Sequence, residues 1–549
     1  MKTNKFFLSA AIVLGLGLTA CSSDDDISSG RIEKANTNVT VTLKLSASSL
    51  TKALPDDYNK IGEWAGKDLI NKVAVYIIDG SSVTSKSLEV GDAGSGKDYE
   101  ITTSGNDITL VPKTSNAAIK TTAGDKKVYV LVNGTTEVVA DLAKTPVAEF
   151  ENAYTQAALY LSNSGAGTFT NTSADKLAVK NGVTSETIVM TNVEPKTITV
   201  AANVTEAQTL AATPQNRVSL QVERAVARVM VTTEKDTYTV PSTISGVSAL
   251  GTISDINWVL AQGESSLFIQ RKADWSTPNY GWVPTTDAAY WGTEITGSTS
   301  KYDYSGLFEN YNTATQFGGT PVATMADYAT GTVGKVTDEL NTKLSGKFIL
   351  PNTHASGTGA ASSYKKGNTA YVLIRAKFTP SAAAFADGAT YTAGNDFYVG
   401  ANGKFYTSAE NAVDATKGGV VGQSVAKYVK GKVLYYAWVN PDNVPTWYNS
   451  PVLRNNIYHI HITGFKNLGT NWNRLFPEDP ANPKGPEDSA HPGTKLPLNP
   501  DPKPIVPGVT EPVNPIDPSD PLTTPETWMS VDVKVLPWTL HSYAVDLGI

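Results

Sequence analysis

Val39-Thr40-Val41-Thr42-Leu43-Lys44-Leu45 alternates apolar and polar residues without a break. Period-two alternation marks a β-strand with one buried face. Downstream, Ser46 to Thr51 loosens into small polar residues, and Lys52-Ala53-Leu54-Pro55 follows, with Asp56 and Asp57 beyond. A clean amphipathic strand followed by a basic residue in a flexible stretch has the form of a removable strand. An ordinary first strand with a loop after it fits the same residues. Further along, Val128 to Val132, Ala370 to Ala376 and Val433 to Val439 are nearly continuous apolar runs, suited to strands buried on both faces. Asn455 to Ile462 alternates around Ile457, Ile460 and Ile462. The strand at Val218 to Val231 precedes Pro241, where an internal boundary is expected. One helix is expected from Thr145 and Pro146, with Phe150, Tyr154, Ala158 and Leu161 as its buried stripe, and a shorter one from Thr337 to Gly346. No repeat of 20 to 50 residues is present. The fold class is all-β with a few short helices.

Composition narrows the function. The 549 residues fit two large β domains plus extensions as well as three or four smaller ones. A net charge of −7 and only 18% charged residues leave no basic footprint, so nucleic acid is not an expected partner. A single cysteine excludes a disulfide scaffold and any Cys-rich metal site.

Both ends stand apart from the body. Lys2 and Lys5 precede the uncharged run Phe6 to Leu18, too short for the roughly 20 apolar residues that cross a bilayer. It reads as a secretory signal. Leu18-Thr19-Ala20-Cys21 resembles a bacterial lipobox, which makes Cys21 the lipidation site. Ser22-Ser23-Asp24-Asp25-Asp26 resembles the acidic tract of surface lipoproteins; a solvated tether is the plainer reading. At the other end, Pro477 to Pro525 holds fifteen of the thirty prolines and reads as an extended linker. Alternation then returns at Val531, Val533 and Val535, and again at Tyr543, Val545, Leu547 and Ile549. Two strands beyond a linker need a sheet to join.

Chemical motifs are weak. Gly91 to Lys97 has the glycine and lysine spacing of a phosphate loop, yet Asp98 occupies the Ser/Thr position and Tyr99 to Thr102 reads as strand instead of helix. A glycine-rich hairpin loop is the preferred reading. His459 and His461 share one face of a strand and could supply two metal ligands, with His354, His491 and His541 as the only other histidines. Paired histidines on a polar face are preferred. No G-x-S-x-G or H-E-x-x-H motif exists. No catalytic, cofactor or metal residues are assigned.

Seven strings in order carry a resemblance. They are Gly62 to Asp68, Glu223 to Met230, Ser345 to His354, Gly367 to Lys377, Tyr428 to Trp438, Asn455 to Ile462 and Val535 to Tyr543. Together they resemble the major fimbrillin of Bacteroidales short fimbriae, the shaft subunit of a type V pilus, over essentially the whole chain. The resemblance implies two transthyretin-like β-sandwiches at residues 53–238 and 239–476. It implies a signal peptide at 1–20, a propeptide with a removable strand at 21–52, a linker at 477–526 and donor strands at 527–549. In such proteins a surface protease removes the first strand, here carrying Val39, Val41, Leu43 and Leu45, and a neighbour's strand fills the groove. Cleavage is then expected between Lys52 and Ala53, although the family is typically cut after arginine; cutting at Arg31 would leave the strand attached. The implied partners are identical subunits in a homopolymer, tip and anchor proteins, the outer membrane through the lipid, and surface receptors. A surface glycan-binding lipoprotein using its ten tryptophans as sugar platforms is the competing expectation.

Overall fold

The structure is a computed structural model. It describes residues 35–45, 60–80, 82–104, 107–144, 154–156, 174, 177–285, 301–308, 319–328, 332–357, 361–439, 449–471, 473, 475, 504–510, 516–522, 529–537 and 539–545. Strands dominate these residues and the fold is all-β. The first eleven strands named are β1 (Thr37–Leu45), β2 (Lys60–Glu63), β3 (Lys72–Asp79), β4 (Ser82–Gly91), β5 (Tyr99–Ser104), β6 (Asp107–Pro112), β7 (Ile119–Thr121), β8 (Gly124–Val132), β9 (Met190–Asn192), β10 (Lys196–Val200) and β11 (Arg217–Arg224). All but β2 belong to one sheet, in the order β9-β11-β1-β6-β5-β4-β3-β8-β10, with β7 beside β1. Because β9 also pairs with β8, the sheet closes on itself. Closure removes sheet edges, which otherwise invite aggregation.

After Arg224 the chain crosses to the second half through Ala225-Val226, both fully buried. Here β12 (Ala227–Thr233), β15 (Lys347–Ile349) and β18 (Asn456–Phe465) form one layer, and β13 (Tyr238–Pro241), β14 (Ala249–Ala261), β16 (Tyr371–Pro380) and β17 (Lys432–Trp438) the other. Val229, Val231, Ile460 and Ile462 from the first layer pack on Ile253, Val372, Ile374 and Val433 from the second. The boundary expected at 238/239 falls inside β13, whose first residue is Tyr238. The apolar runs behave as expected: no residue from Val128 to Val132 exceeds 3% exposure.

Three expectations need correction. Residues 154–156 are a strand paired with Ser266–Phe268, not the middle of a helix; the rest of that expected helix lies outside the described residues. The helix in this region is α1 (Thr136–Lys144), where Thr135 Oγ1 accepts from the Val138 amide and Leu142 is buried. The second helix, α2 (Thr332–Lys343), begins five residues before Thr337, whose hydroxyl instead donates to the Val333 carbonyl. The linker is also not wholly extended. Val509, Ile516 and Leu522 are each at most 5% exposed, and Lys366 Nζ lies 3.0 Å from Asp520 Oδ2. Single apolar side chains filling separate pockets need no periodicity, so composition did not reveal them.

Candidate functional site

The site is built around β1, which is an interior strand of the closed sheet. It pairs parallel with β11, from Thr40 opposite Arg217 to Leu45 opposite Val222, and antiparallel with β6 at Leu43 to Leu45. Val39, Val41, Leu43 and Leu45 are 0%, 1%, 0% and 4% exposed, so the alternation read from sequence marks the core face. The other face is only partly exposed. Thr40 is fully buried, its hydroxyl donating to the Thr209 carbonyl at 3.1 Å and accepting from Arg217 Nε at 3.2 Å. Asn216 Nδ2 donates to the Asn38 carbonyl, and Tyr99 Oη donates to the Val41 carbonyl at 2.8 Å. Over the first half of β1 these side-chain ties add to backbone ladders with β7 and β11, while the second half is held by the ladders with β11 and β6.

The expected donor segment lies elsewhere. β19 (Met529–Pro537) and β20 (Thr539–Val545), described by their backbones, form an antiparallel hairpin with Val531 opposite Val545 and Val533 opposite Tyr543. This hairpin rests on β18 of its own chain, with Val533 opposite Ile460 and Val531 opposite Ile462. Thus β1 and the tail occupy different sheets, and the tail is docked at home. Cys21, Lys52, Ala53, Leu547 and Ile549 lie outside the described residues.

Neither decoy motif forms a site. The Gly91 to Lys97 loop leads into strand β5, as expected, but β4 and β5 pair parallel at Val90 and Tyr99, so it is not a hairpin loop. Asp98 accepts hydrogen bonds from the Glu89 amide at 3.0 Å and from the Thr114 hydroxyl at 2.7 Å. Partial burial pushes its pKa up, yet these bonds and Asn116 outweigh it and hold the carboxyl below its usual range. His459 and His461 do share a face, but both are fully buried instead of lying on a polar surface. Thr232 Oγ1 lies 2.8 Å from His459 Nε2 and 2.8 Å from His461 Nδ1, and His461 Nε2 lies 3.1 Å from Glu234 Oε2. Partial burial raises the Glu234 carboxyl, but the Asp327 amide and His461 hold it below its ordinary range, so it is an acceptor. A neutral His461 must then donate from Nε2, accept from the Thr232 hydroxyl at Nδ1, and leave that oxygen to accept from His459. Among the described residues no three metal-ligating side chains come together. Of the described tryptophans, Trp64, Trp258 and Trp438 are buried and Trp275 and Trp282 are half-buried.

One polar cluster escaped sequence reasoning. Arg224 Nε donates to Asp68 Oδ1 at 3.0 Å and its Nη1 to Asn455 Oδ1 at 2.9 Å, Arg228 pairs with Glu186, and Arg271 Nε lies 2.9 Å from Glu223 Oε1. Arg454 reaches Thr191 Oγ1 at 3.2 Å and the Phe268 carbonyl at 2.7 Å. Burial pushes the Glu223 carboxyl up and the Arg454 guanidinium down to about 10. These charges straddle Ala225-Val226 and lock the two halves together. Two arginines within five residues of an apolar stretch are the sequence signal for it.

The family described as "Major fimbrial subunit protein type IV, Fimbrillin, C-terminal" matches residues 426–544, which span β18 and the tail. Two curated proteins named "Minor fimbrium subunit Mfa1" from Porphyromonas gingivalis are each 32% identical over 561 aligned positions, covering 100% of both chains. Among solved structures, a putative cell adhesion protein from Parabacteroides distasonis gives a TM-score of 0.37 at 11% identity, covering 79% of this chain and 94% of that one. A fimbrilin from Porphyromonas gingivalis gives 0.34 at 15% identity, covering 81% and 94%. With identity at this level along the full length of its relatives, the chain belongs to the Bacteroidales fimbrillins and is a subunit of a surface fimbrium.

Proposed function

We propose that this protein is a shaft subunit, exported as a lipoprotein on Cys21, matured by cleavage between Lys52 and Ala53, and polymerised by exchange of strands between identical subunits. The observation that carries this reading is the place of β1, an interior strand of a closed sheet with four fully or nearly buried residues at every second position. Its removal would open the ring between β11 and β6 and expose an apolar slot with two unpaired backbone edges. The tail offers a matching insert: Tyr543, Val545, Leu547 and Ile549 stand at every second position, as the four residues of β1 do. At about 1.5–3 kcal/mol per buried side chain, four such residues contribute roughly 6–12 kcal/mol before backbone pairing is counted. The terminal strand is favoured over Val531, Val533 and Val535 because it carries a fourth apolar residue. Tip and anchor proteins would cap the polymer, and surface receptors would meet its flank in adhesion and biofilm formation. The role is structural, with no catalytic residue assigned.

The test is to treat purified precursor with trypsin and view it by negative-stain microscopy, with amino-terminal sequencing of the product. Filaments of subunits starting at Ala53 are expected, and Lys52→Ala should leave single particles. A filament subunit that starts before Val39 would show that the strand is retained and overturn the reading.

A further inference from the structure

One face of the β16–β17 ladder gathers cations. The two strands run antiparallel, with Lys377 opposite Lys432 and Arg375 opposite Leu434. Residues directly opposite share a face, as do residues two apart in one strand, so Arg375, Lys377 and Lys432 lie on the same surface. Beside them Tyr371, Leu373, Leu434, Tyr436 and Trp438 belong to one buried apolar cluster. Arg375 is fully buried and donates through Nη2 to the Leu307 carbonyl. Lys432 is only 5% exposed. Like charges directly across a ladder are unfavourable, and a buried ammonium ordinarily has a carboxylate partner. Among the described residues no hydrogen bond or ion pair holds the Lys432 amine. Asp396 is engaged elsewhere, accepting from the Lys430 amide at 2.9 Å and pairing with Lys427 Nζ at 3.3 Å. Burial, and after it the repulsion of Arg375 and Lys430, pushes the Lys432 ammonium down to about 7. A large share of this amine is therefore uncharged at neutral pH. Desolvation and neighbouring cations are the two conditions that make a lysine nucleophilic.

We propose that Lys432 is a carbon dioxide-binding site, forming a carbamate whose negative charge is balanced by Arg375, Lys377 and Lys430. The nitrogen lone pair attacks the carbon of carbon dioxide and a C–N bond forms. One C=O π pair moves onto oxygen, and a proton leaves the nitrogen for solvent. No oxidant, activated donor or leaving group is needed. The surrounding cations act in opposite senses on the two forms, repelling an ammonium and attracting a carbamate. A buried charge is tolerated when it is paired and hydrogen-bonded, and a guanidinium matches a carboxylate in shape as well as charge. Burial and charge together select the electrophile. At 5% exposure the amine admits a small neutral molecule. An acyl or aldehyde adduct would bring no negative charge to this face, whereas a carbamate does. The site bridges β16 and β17, so its occupancy stiffens the second half and couples its stability to dissolved carbon dioxide.

Carbon-13-labelled bicarbonate, equilibrated with the full-length protein at neutral pH, is the probe. A carbamate carbon resonance is expected in the parent and is lost in Lys432→Met. Trapping with a trialkyloxonium salt, which esterifies a carbamate, followed by peptide mass spectrometry, should place the ester on residue 432 of the unaltered protein. That second measurement reads the site even where the variant does not fold. Bicarbonate should also raise the parent's thermal midpoint above its value in sodium chloride of equal ionic strength, and leave Lys432→Met unmoved. Absence of a trapped adduct at residue 432 overturns the inference. A midpoint that rises equally in chloride, with no adduct, overturns it too, and identifies an anion held among these cations without a covalent bond.

Discussion

Thr232 hydroxyl sits between two buried imidazoles, and replacing it by valine keeps the shape while removing both hydrogen bonds. Thr232→Val is expected to destabilise the fold by about 1–3 kcal/mol, the usual penalty for stranding buried polar groups, measured as a lowered urea midpoint. Glu234→Gln should cost less, because that side chain remains 28% exposed and water can replace the charge. His354 is held neutral at physiological pH by its burial. Its Nε2 lies 2.9 Å from the Asn368 carbonyl and its Nδ1 3.3 Å from the Tyr280 carbonyl, yet burial dominates and lowers its pKa to about 4. A depressed folded-state pKa means the unfolded chain takes up the proton first. Stability from this group is full above about pH 6.5 and declines towards pH 4, at roughly 1.4 kcal/mol per pH unit. The stability difference between the parent and His354→Gln should therefore shrink as pH falls from 7 to 5. A constant difference across that range would refute burial of a neutral imidazole.

Strand β1 is held by two kinds of bond, and they predict different behaviour. Its ladders with β11 and β6 are available to any extended chain, whereas the grip on Thr40 and Asn38 depends on particular side chains. A donor strand can reproduce the first set and not the second. Leu547→Asp or deletion of Tyr543 to Ile549 should abolish filaments while leaving the precursor's melting temperature within about 1–2 °C, since the body keeps its own core. Electron microscopy and thermal unfolding of the same preparations check both halves of that statement. The linker limits the search for a neighbour. The Lys366 and Gly367 amides donate to the Asp520 and Pro518 carbonyls and so hold the linker against the body at that point. Asp520→Ala removes an ion pair from a half-exposed aspartate, so its effect on stability should be small, at about 0–1 kcal/mol.

Across the molecule, stiffness comes from the charged junction around Ala225-Val226. Arg228 and Glu186 are both fully buried, so removing one leaves the other stranded. Arg228→Ala should cost about 3–5 kcal/mol in unfolding experiments, and the double change Arg228→Met with Glu186→Leu should recover most of it. Because β11 continues into β12 and β12 pairs with β18, the groove strand and the tail's docking strand belong to one connected frame.

Local patterns were readable from the chain because they repeat within a few residues. The alternation at Val39 to Leu45 names the core face of β1, the apolar runs at Val128 and Tyr371 name doubly buried strands, and the tail's period-two residues name strands in search of a sheet. Seven ordered strings resembled one family, and full-length identity to its members agrees. Residues 154–156 suggest a helix through a four-residue apolar spacing that also suits a short strand whose partner, Ser266–Phe268, lies over a hundred residues away. Ring closure, the parallel pairing of Thr40 with Arg217, the tail's docking on β18 and the cross-junction ion pairs all join residues far apart in the chain. Such contacts depend on which loops close and which edges remain unpaired once the sheets have formed. No local window contains that information, so it exists only in the folded chain.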